Sequence, residues 1–168
     1  NLPGRLGNPE MSLKNDPRAI PAVTKVMSEY GLDALAPDPP ISIEATQNEK
    51  VDYMTSLEPL YEDIFKSWYS ELPEVEGLER FTKVIDGVDG NQIILYVHKP
   101  EGLESKVPGI LHIHGGGMSI LKAKNPNYVR WRDDLASTGL VVVGVEFRNV
   151  AGELGSYPFP AGLNDCSS

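Results

Sequence analysis

The sequence has a single cysteine, Cys166, among its 168 residues. One thiol cannot form a disulfide within the chain, and it cannot build a cysteine-based metal cluster. The chain also lacks an apolar run of the length needed to cross a bilayer. Its amino-terminus has no basic and then apolar signal pattern, and its start at Asn1 suggests trimming or missing residues. We therefore expect a cytoplasmic protein with a processed amino-terminus.

Basic residues are also few, since Lys and Arg total 15 against 24 Asp and Glu, which gives a formal net charge of −9. This acidity argues against a nucleic acid or an anionic membrane surface as a partner. The length and a hydrophobic content of 40% allow one domain with a sizeable core.

Helical patterns occupy the first part of the chain. Asp16-Pro17 predicts a capped helix that ends before Gly31, with Pro21 as the alternative start. A linker over residues 36–48 contains three prolines, so it cannot be helical throughout. From about residue 53 to 69, apolar residues recur at spacings of three and four, which predicts an amphipathic helix.

The pattern then changes to that of strands. Residues 81–85 and 92–98 are rich in β-branched residues and are separated by two Asp-Gly pairs, which predicts a hairpin. A strand at 108–114, a helix at 125–136 and a nearly continuous apolar strand at 140–147 follow, as in a right-handed βαβ unit. A further helix is predicted at 161–168. This order predicts an α/β fold, with a mostly parallel sheet that has an antiparallel amino-terminal edge.

The chain is organised around the loop after the third of these strands, where Gly115, Gly116 and Gly117 are consecutive. Three glycines at a strand end have a high cost in backbone entropy, so the position requires bare backbone. One use is a set of N–H donors directed at the oxygen that becomes negative during acyl transfer. A flexible turn or another anion-binding loop is the alternative, but His114 and the flanking strand favour the first interpretation.

Three motifs occur in an order and at a spacing that resemble one family: His114-Gly115-Gly116-Gly117-Met118, Glu146-Phe147-Arg148-Asn149, and Tyr157-Pro158-Phe159-Pro160-Ala161-Gly162 with Asp165. They resemble the α/β-hydrolases of the hormone-sensitive-lipase type. Three shorter amino-terminal motifs also resemble a member of that family: residues 4–7, 16–18 and 31–34. The resemblance implies the amino-terminal half of an α/β-hydrolase, with an arm and helical cap at 1–75 and the first half of the core, incomplete at its carboxyl end, at 76–168.

The resemblance also implies roles for individual residues. By position, the oxyanion hole falls on the N–H groups of Gly116 and Gly117, and Gly115 shapes the turn. His114 corresponds to the histidine that orients the loop. The remaining pair, Arg148 and Asp165, corresponds to a structural ion pair beneath the loop.

The catalytic serine is missing, because no Gly-x-Ser-x-Gly pentapeptide occurs in the sequence. The histidines do not supply a base in its place. We expect His98 at a surface or strand edge, His112 in the core and His114 in its loop role. None has a clustered second ligand, so no metal site is predicted. The Ser/Asp/His triad is therefore expected beyond residue 168.

The predicted function is hydrolysis of small carboxylic esters by serine acyl transfer, without a cofactor. This chain would supply the oxyanion hole and cap, and would be inactive without the carboxyl-terminal half in a second chain or segment. A related amidase, lactonase or cyclase is one alternative, and a non-catalytic ligand-binding protein of the same fold is another. The sequence leaves open whether the protein is a homo-oligomer.

Overall fold

The computed structural model describes residues 8, 10–34 and 38–168. These residues divide into two compact units, with the boundary between Ser42 and Ile43. The motif at residues 4–7 lies outside the described residues, and so does part of the predicted linker, at 36 and 37.

The first unit contains a 3-10 turn at Leu13–Asn15 and helix α1 at Pro21–Glu29. The helix begins at Pro21, which was the alternative start predicted from the sequence. Asp16 does not cap it, because the Asp16 carboxylate accepts hydrogen bonds from the backbone N–H of Arg18 at 2.9 Å and from its guanidinium at 2.7 Å. These bonds close a separate turn before the helix.

The second unit begins with helix α2, Gln47–Tyr69. The predicted start at residue 53 is wrong by six residues, because the first turns of α2 are polar and carry no apolar period. A capping box defines the start instead: Thr46 Oγ1 accepts from the N–H of Glu49 at 3.3 Å, and Glu49 Oε2 accepts from the N–H of Thr46 at 2.7 Å.

The sheet has four strands, β1 (Leu78–Asp86), β2 (Gln92–Pro100), β3 (Gly109–His112) and β4 (Val141–Glu146), in the order β1-β2-β4-β3. The predicted hairpin is confirmed, since β1 and β2 pair antiparallel with Leu78 opposite Pro100 and Asp86 opposite Gln92. β4 pairs antiparallel with β2 and parallel with β3. The chain therefore leaves the hairpin for the far edge of the sheet and returns through β4 to fill the gap.

Helix α3 (Pro126–Ala136) connects β3 to β4, and helix α4 (Ala161–Ser167) follows β4. Val142 of β4 has no exposed surface and packs with Ala136 of α3, whereas Val145 packs with Phe147 on the other side of the sheet. Because β4 is covered on both faces, its sequence is nearly continuously apolar.

Arg132 of α3 is fully buried against the sheet. The contact requires glycine at position 144 of β4, because a Cβ there would lie 2.8 Å from Arg132 Nη1. Burial lowers the pKa of Arg132, although the charges of Asp133 and Glu146 oppose this effect.

The predicted surface position of His98 is wrong, since this residue is 4% exposed. β2 is an interior strand, and its His98 contacts α3. The Nε2 atom of His98 accepts from Arg132 Nε at 3.1 Å, so Nδ1 carries the hydrogen and donates to Asp133 Oδ1 at 2.6 Å. His112 was expected in the core, but it is only half-buried, with its ring centroid 4.6 Å from that of Trp131.

The compact units place α2 with the sheet, although the sequence assigned it to a cap at 1–75. The predicted domain boundary at residue 75 stays a prediction. Within the described ranges, no helix is both long and apolar enough to cross a membrane.

Candidate active site

The glycine loop leaves β3 at His114 and folds into a tight turn. Gly116 has a φ of +108°, and a Cβ there would overlap the carbonyl oxygen of Ile120. Gly117 has a φ of +64°, a conformation that side chains disfavour. The carbonyl of Gly116 accepts from the N–H of Ser119 at 3.0 Å and from that of Ile120 at 3.3 Å. The turn is therefore closed by its own backbone, and Gly116 cannot be replaced without moving it.

The N–H groups of Gly116 and Gly117 have no hydrogen-bond acceptor within the described part of the chain. Backbone donors of an ordered loop are normally paired with protein or water. Two adjacent donors without a partner in the described ranges are thus available to an oxygen atom of a ligand.

His114 has only 4% of its surface exposed and orients the start of the loop. A carbonyl can only accept, so His114 Nδ1 carries the hydrogen and donates to Gly115 O at 2.7 Å. The ring stacks on Phe147, with centroids 4.2 Å apart and planes at 11°. Burial lowers the pKa of His114, and the nearby charge of Arg132 lowers it further, whereas the bond to Gly115 opposes both. A neutral imidazole is therefore favoured at this position.

Side chains fix the peptide groups of residues 121–123, which follow the turn and lie outside any helix or strand. Each of the three N–H groups donates to a side-chain oxygen, and the first carbonyl accepts from a side-chain amide. The pairs are Leu121 N to Glu58 Oε1 at 2.6 Å, Lys122 N to Asn125 Oδ1 at 2.6 Å, Ala123 N to Glu146 Oε1 at 2.7 Å, and Asn149 Nδ2 to Leu121 O at 2.6 Å. The loop is thus held at its exit by four buried or half-buried side chains.

Glu146, at the end of β4, is one of these anchors. Its Oε2 accepts from the Tyr96 hydroxyl at 3.2 Å, and its Oε1 lies 3.8 Å from His114 Nε2. Burial raises the pKa of Glu146, although the bonds from Ala123 and Tyr96 oppose this shift. His114 Nε2 itself is buried without a hydrogen-bond partner among the described residues.

The predicted ion pair is present in the structure. Arg148 Nη2 lies 2.8 Å from Asp165 Oδ1, and the backbone N–H of Arg148 donates to Asp165 Oδ2 at 2.8 Å. Arg148 also pairs with Asp89 of the β1–β2 turn at 2.5 Å. Burial favours the neutral form of Asp165, but its bonds from Arg148 outweigh this and lower its pKa. The pair ties α4 to the hairpin, and its part in supporting the loop stays a prediction.

Two mainly apolar cavities flank the glycines. One, of about 320 Å³, lies between α2 and the loop and is lined by residues that include Met54, Tyr61, Phe65 and Gly116. The other, of about 260 Å³, lies beside Gly117 and is also lined by Tyr157 and Phe159. An ester whose carbonyl oxygen reached the glycine N–H groups would have apolar space on both sides.

Three serines donate to backbone carbonyl groups and are not bonded to a histidine among the described residues. Ser119 donates to Gly117 O at 3.3 Å, whereas Ser167 and Ser168 both donate to Asn164 O, at 3.1 and 2.7 Å. In the described ranges no group of three or more His, Cys, Asp or Glu side chains could hold a metal ion.

Sequence reasoning missed Glu58 as an anchor of the loop. A signal was present, because Glu58 lies four residues after Met54 and three before Tyr61, on the apolar face of α2. A carboxylate on such a face requires buried partners. These partners, Leu121 and Glu153, are more than sixty residues away in sequence, so periodicity could not identify them.

No protein-family model matches the chain. Over 98% of its length the chain is similar to brefeldin A esterase, a bacterial homologue of human hormone-sensitive lipase, with 40% identity, a TM-score of 0.80 and 46% of that protein covered. Esterase Est22 is similar over 93% of the chain, with 29% identity, a TM-score of 0.74 and 46% of the esterase covered.

Tuliposide A-converting enzyme b1 of Tulipa gesneriana, an amyloplastic enzyme, is 36% identical over 85 residues, which are 49% of this chain and 22% of the tulip enzyme. The chain thus spans less than half the length of each of these relatives. The similarity confirms the fold class predicted from the sequence, and it also confirms the resemblance to esterases similar to hormone-sensitive lipase.

Proposed function

We propose that this chain, which has the fold of the amino-terminal half of an α/β-hydrolase similar to hormone-sensitive lipase, supplies the oxyanion hole and part of the substrate pocket of a serine carboxylesterase. The observation that carries the proposal is the pair of N–H groups at Gly116 and Gly117, which have no acceptor among the described residues and lie between two apolar cavities. The Ser/Asp/His triad of the complete enzyme lies beyond residue 168. The cytoplasmic location is part of the same proposal.

In the proposed reaction the ester carbonyl oxygen faces the N–H groups of Gly116 and Gly117. The serine hydroxyl oxygen attacks the carbonyl carbon, its proton passes to the triad histidine, and the carbonyl electron pair moves onto the oxygen. The two N–H groups donate to this oxyanion, which lowers the barrier. Collapse of the intermediate breaks the bond to the alcohol, which leaves with the proton from histidine. Water then releases the acid by the same steps.

The fixed exit of the loop supports this role. Donors that are already in place need no reorganisation as charge develops, and this is the main advantage of an oxyanion hole over water. The four anchors of residues 121–123 and the bond from His114 to Gly115 restrict the loop before any substrate binds.

The test is ester hydrolysis by the complete enzyme with Gly116→Ala. The Cβ would overlap the Ile120 carbonyl oxygen and move the donors, so kcat on short-chain aryl esters should fall by about 10²–10³-fold. Gly109→Ala is the matched control, because its Cβ would find only an ordinary 3.6 Å contact with Val141 O. A folded Gly116→Ala enzyme with kcat within a few-fold of wild type would contradict the proposal. Failure of the wild type to hydrolyse any ester while still binding one would favour a non-catalytic binding protein.

A further inference from the structure

We propose that Glu58 of α2 is a positioning residue for the oxyanion loop, an inference that rests on the proposed function of that loop. Glu58 is 4% exposed and lies on the face of α2 that packs against the loop. It touches no group expected to react, so any effect on catalysis acts through the backbone that it holds.

The carboxyl group of Glu58 joins two backbone segments. Its Oε1 accepts from the N–H of Leu121 at 2.6 Å, and its Oε2 accepts from the N–H of Glu153 at 2.6 Å. No lysine, arginine or histidine is paired with it among the described residues. Since each oxygen has a specific backbone donor, the carboxyl group serves as a bridge between segments and not as half of an ion pair.

Both bridged segments contact the glycine turn. Leu121 directly follows Ile120, whose N–H donates to Gly116 O at 3.3 Å. On the other side, Val150 N donates to Met118 O at 3.0 Å and Ala151 N to Ser119 O at 2.8 Å. Glu58 therefore holds the turn from its exit and from the segment that pairs with it.

The Glu58 bridge holds Leu121 in a strained backbone conformation. Leu121 has a φ of +78°, an unfavourable left-handed conformation for a residue with a side chain. Such a conformation persists only where its surroundings enforce it. The Glu58 bond to its N–H, the Asn149 bond to its C=O and the burial of its side chain hold it in place. Without Glu58 the residue should relax and displace Ile120 and the carbonyl of Gly116.

Few groups could take over from Glu58. A Cβ at Gly152 would lie 2.6 Å from Glu58 Oε2, so the carboxyl group is closely enclosed. Thr55, one turn earlier in α2, makes a parallel bond, because its Oγ1 accepts from the N–H of Gly152 at 3.0 Å. Thr55 holds only the second segment, whereas Glu58 is bonded to both segments.

The experiment compares Glu58→Gln, Glu58→Ala, Thr55→Val and Asp63→Asn in the complete enzyme. Gln keeps the shape but presents an NH₂ group to one of the two N–H donors, so one bond is lost. We expect kcat of Glu58→Gln to fall by about 10–100-fold with KM within about threefold, and kcat of Glu58→Ala to fall further.

Thr55→Val should lower stability with little change in kcat. Asp63→Asn removes an exposed carboxylate from the same helix and should change neither.

Hydrogen exchange over residues 119–123 gives a readout that does not depend on turnover. It should be faster in both Glu58 variants and unchanged in Asp63→Asn. If Glu58→Ala does not fold, kcat and hydrogen exchange of Glu58→Gln alone test the inference. A Glu58→Gln enzyme with unchanged kcat, or one whose loop exchange equals that of wild type, would overturn the inference while leaving the proposed function intact. A wild-type enzyme without ester turnover would overturn both.

Discussion

The surroundings of His114 favour a neutral, buried imidazole. The ring is enclosed by Phe147 and Tyr128, and burial lowers its pKa. Its one hydrogen bond within the described chain orients the carbonyl of Gly115. A residue with this environment fixes backbone geometry, and its Nε2 is buried without a hydrogen-bond partner among the described residues.

We therefore expect His114→Asn to lower kcat by about tenfold through a small displacement of the loop. The pKa fitted to the acidic limb of kcat/KM should stay where it is in wild type, since His114 is not the base. The measurement is a pH–rate profile of both enzymes on one aryl ester. Loss of a titration near neutrality in the variant alone would identify His114 as the base and contradict the assignment.

At the scale of elements, helix α2 both lines the cavity beside the glycine loop and holds that loop, whereas the sequence predicted only a cap helix. Tyr61 and Phe65 line the cavity beside Gly116, and Glu58 holds the loop that contains it. The first unit, up to Ser42, contains neither group. Removal of that unit and removal of α2 should therefore have different consequences.

Deletion of residues 1–42 from the complete enzyme should leave kcat on a short acetyl ester within about tenfold of wild type, because the anchors of the loop remain. Deletion of residues 1–75 should reduce kcat much further and also change the preference for acyl-chain length. Rates on a series of acyl chains, with the fold monitored by circular dichroism, test both. Equal loss of activity in the two deletions would contradict a distinct role for α2.

Helices and strands could be predicted where their own sequence carries a local pattern. The hairpin, β4 and α3 were identified because β-branched runs around two Asp-Gly pairs, continuous apolar sequence and a helix start at Asn125-Pro126 are local signals. The first turns of α2 were missed because they are polar. His98 was assigned to the surface because sequence does not show that β2 lies between β1 and β4. The glycine loop was identified from its three consecutive glycines after a strand and from His114, whereas the anchoring contacts of Glu58 and Glu146 required the tertiary structure.

For the whole molecule, three histidines buried to different degrees link stability to pH. Burial lowers the pKa of His98, His114 and His112, the last to about 4. The unfolded chain, with an ordinary histidine pKa of about 6.5, therefore binds protons that the folded chain does not. The histidine contribution to stability is complete above pH of about 6.5 and is lost progressively as the pH falls towards 4.

We expect the free energy of unfolding to fall less steeply over this window in His112→Asn than in wild type. One histidine can contribute at most about 1.4 kcal/mol per pH unit. Urea denaturation of the complete enzyme at several pH values between about 4 and 7 measures the difference. Identical slopes in the two proteins would mean that His112 titrates normally in the folded state.

The sheet also bears on how the molecule is assembled. Among the described residues β3 pairs only with β4, and Leu111 on it is 57% exposed. An apolar edge strand is a liability for association with other strands. Under the proposal, a fifth strand from the second half of the enzyme covers this edge and brings the nucleophile to the glycine loop.

The most direct test of the central claim is the position of the nucleophile. The complete enzyme is treated with an organophosphonate, which labels an activated serine, and the modified peptide is located by mass spectrometry. The account predicts one label on a serine beyond residue 168, within Gly-x-Ser-x-Gly, and loss of ester turnover in step with labelling. A label on Ser119, Ser156, Ser167 or Ser168, or ester turnover by the isolated 168-residue chain, would contradict it.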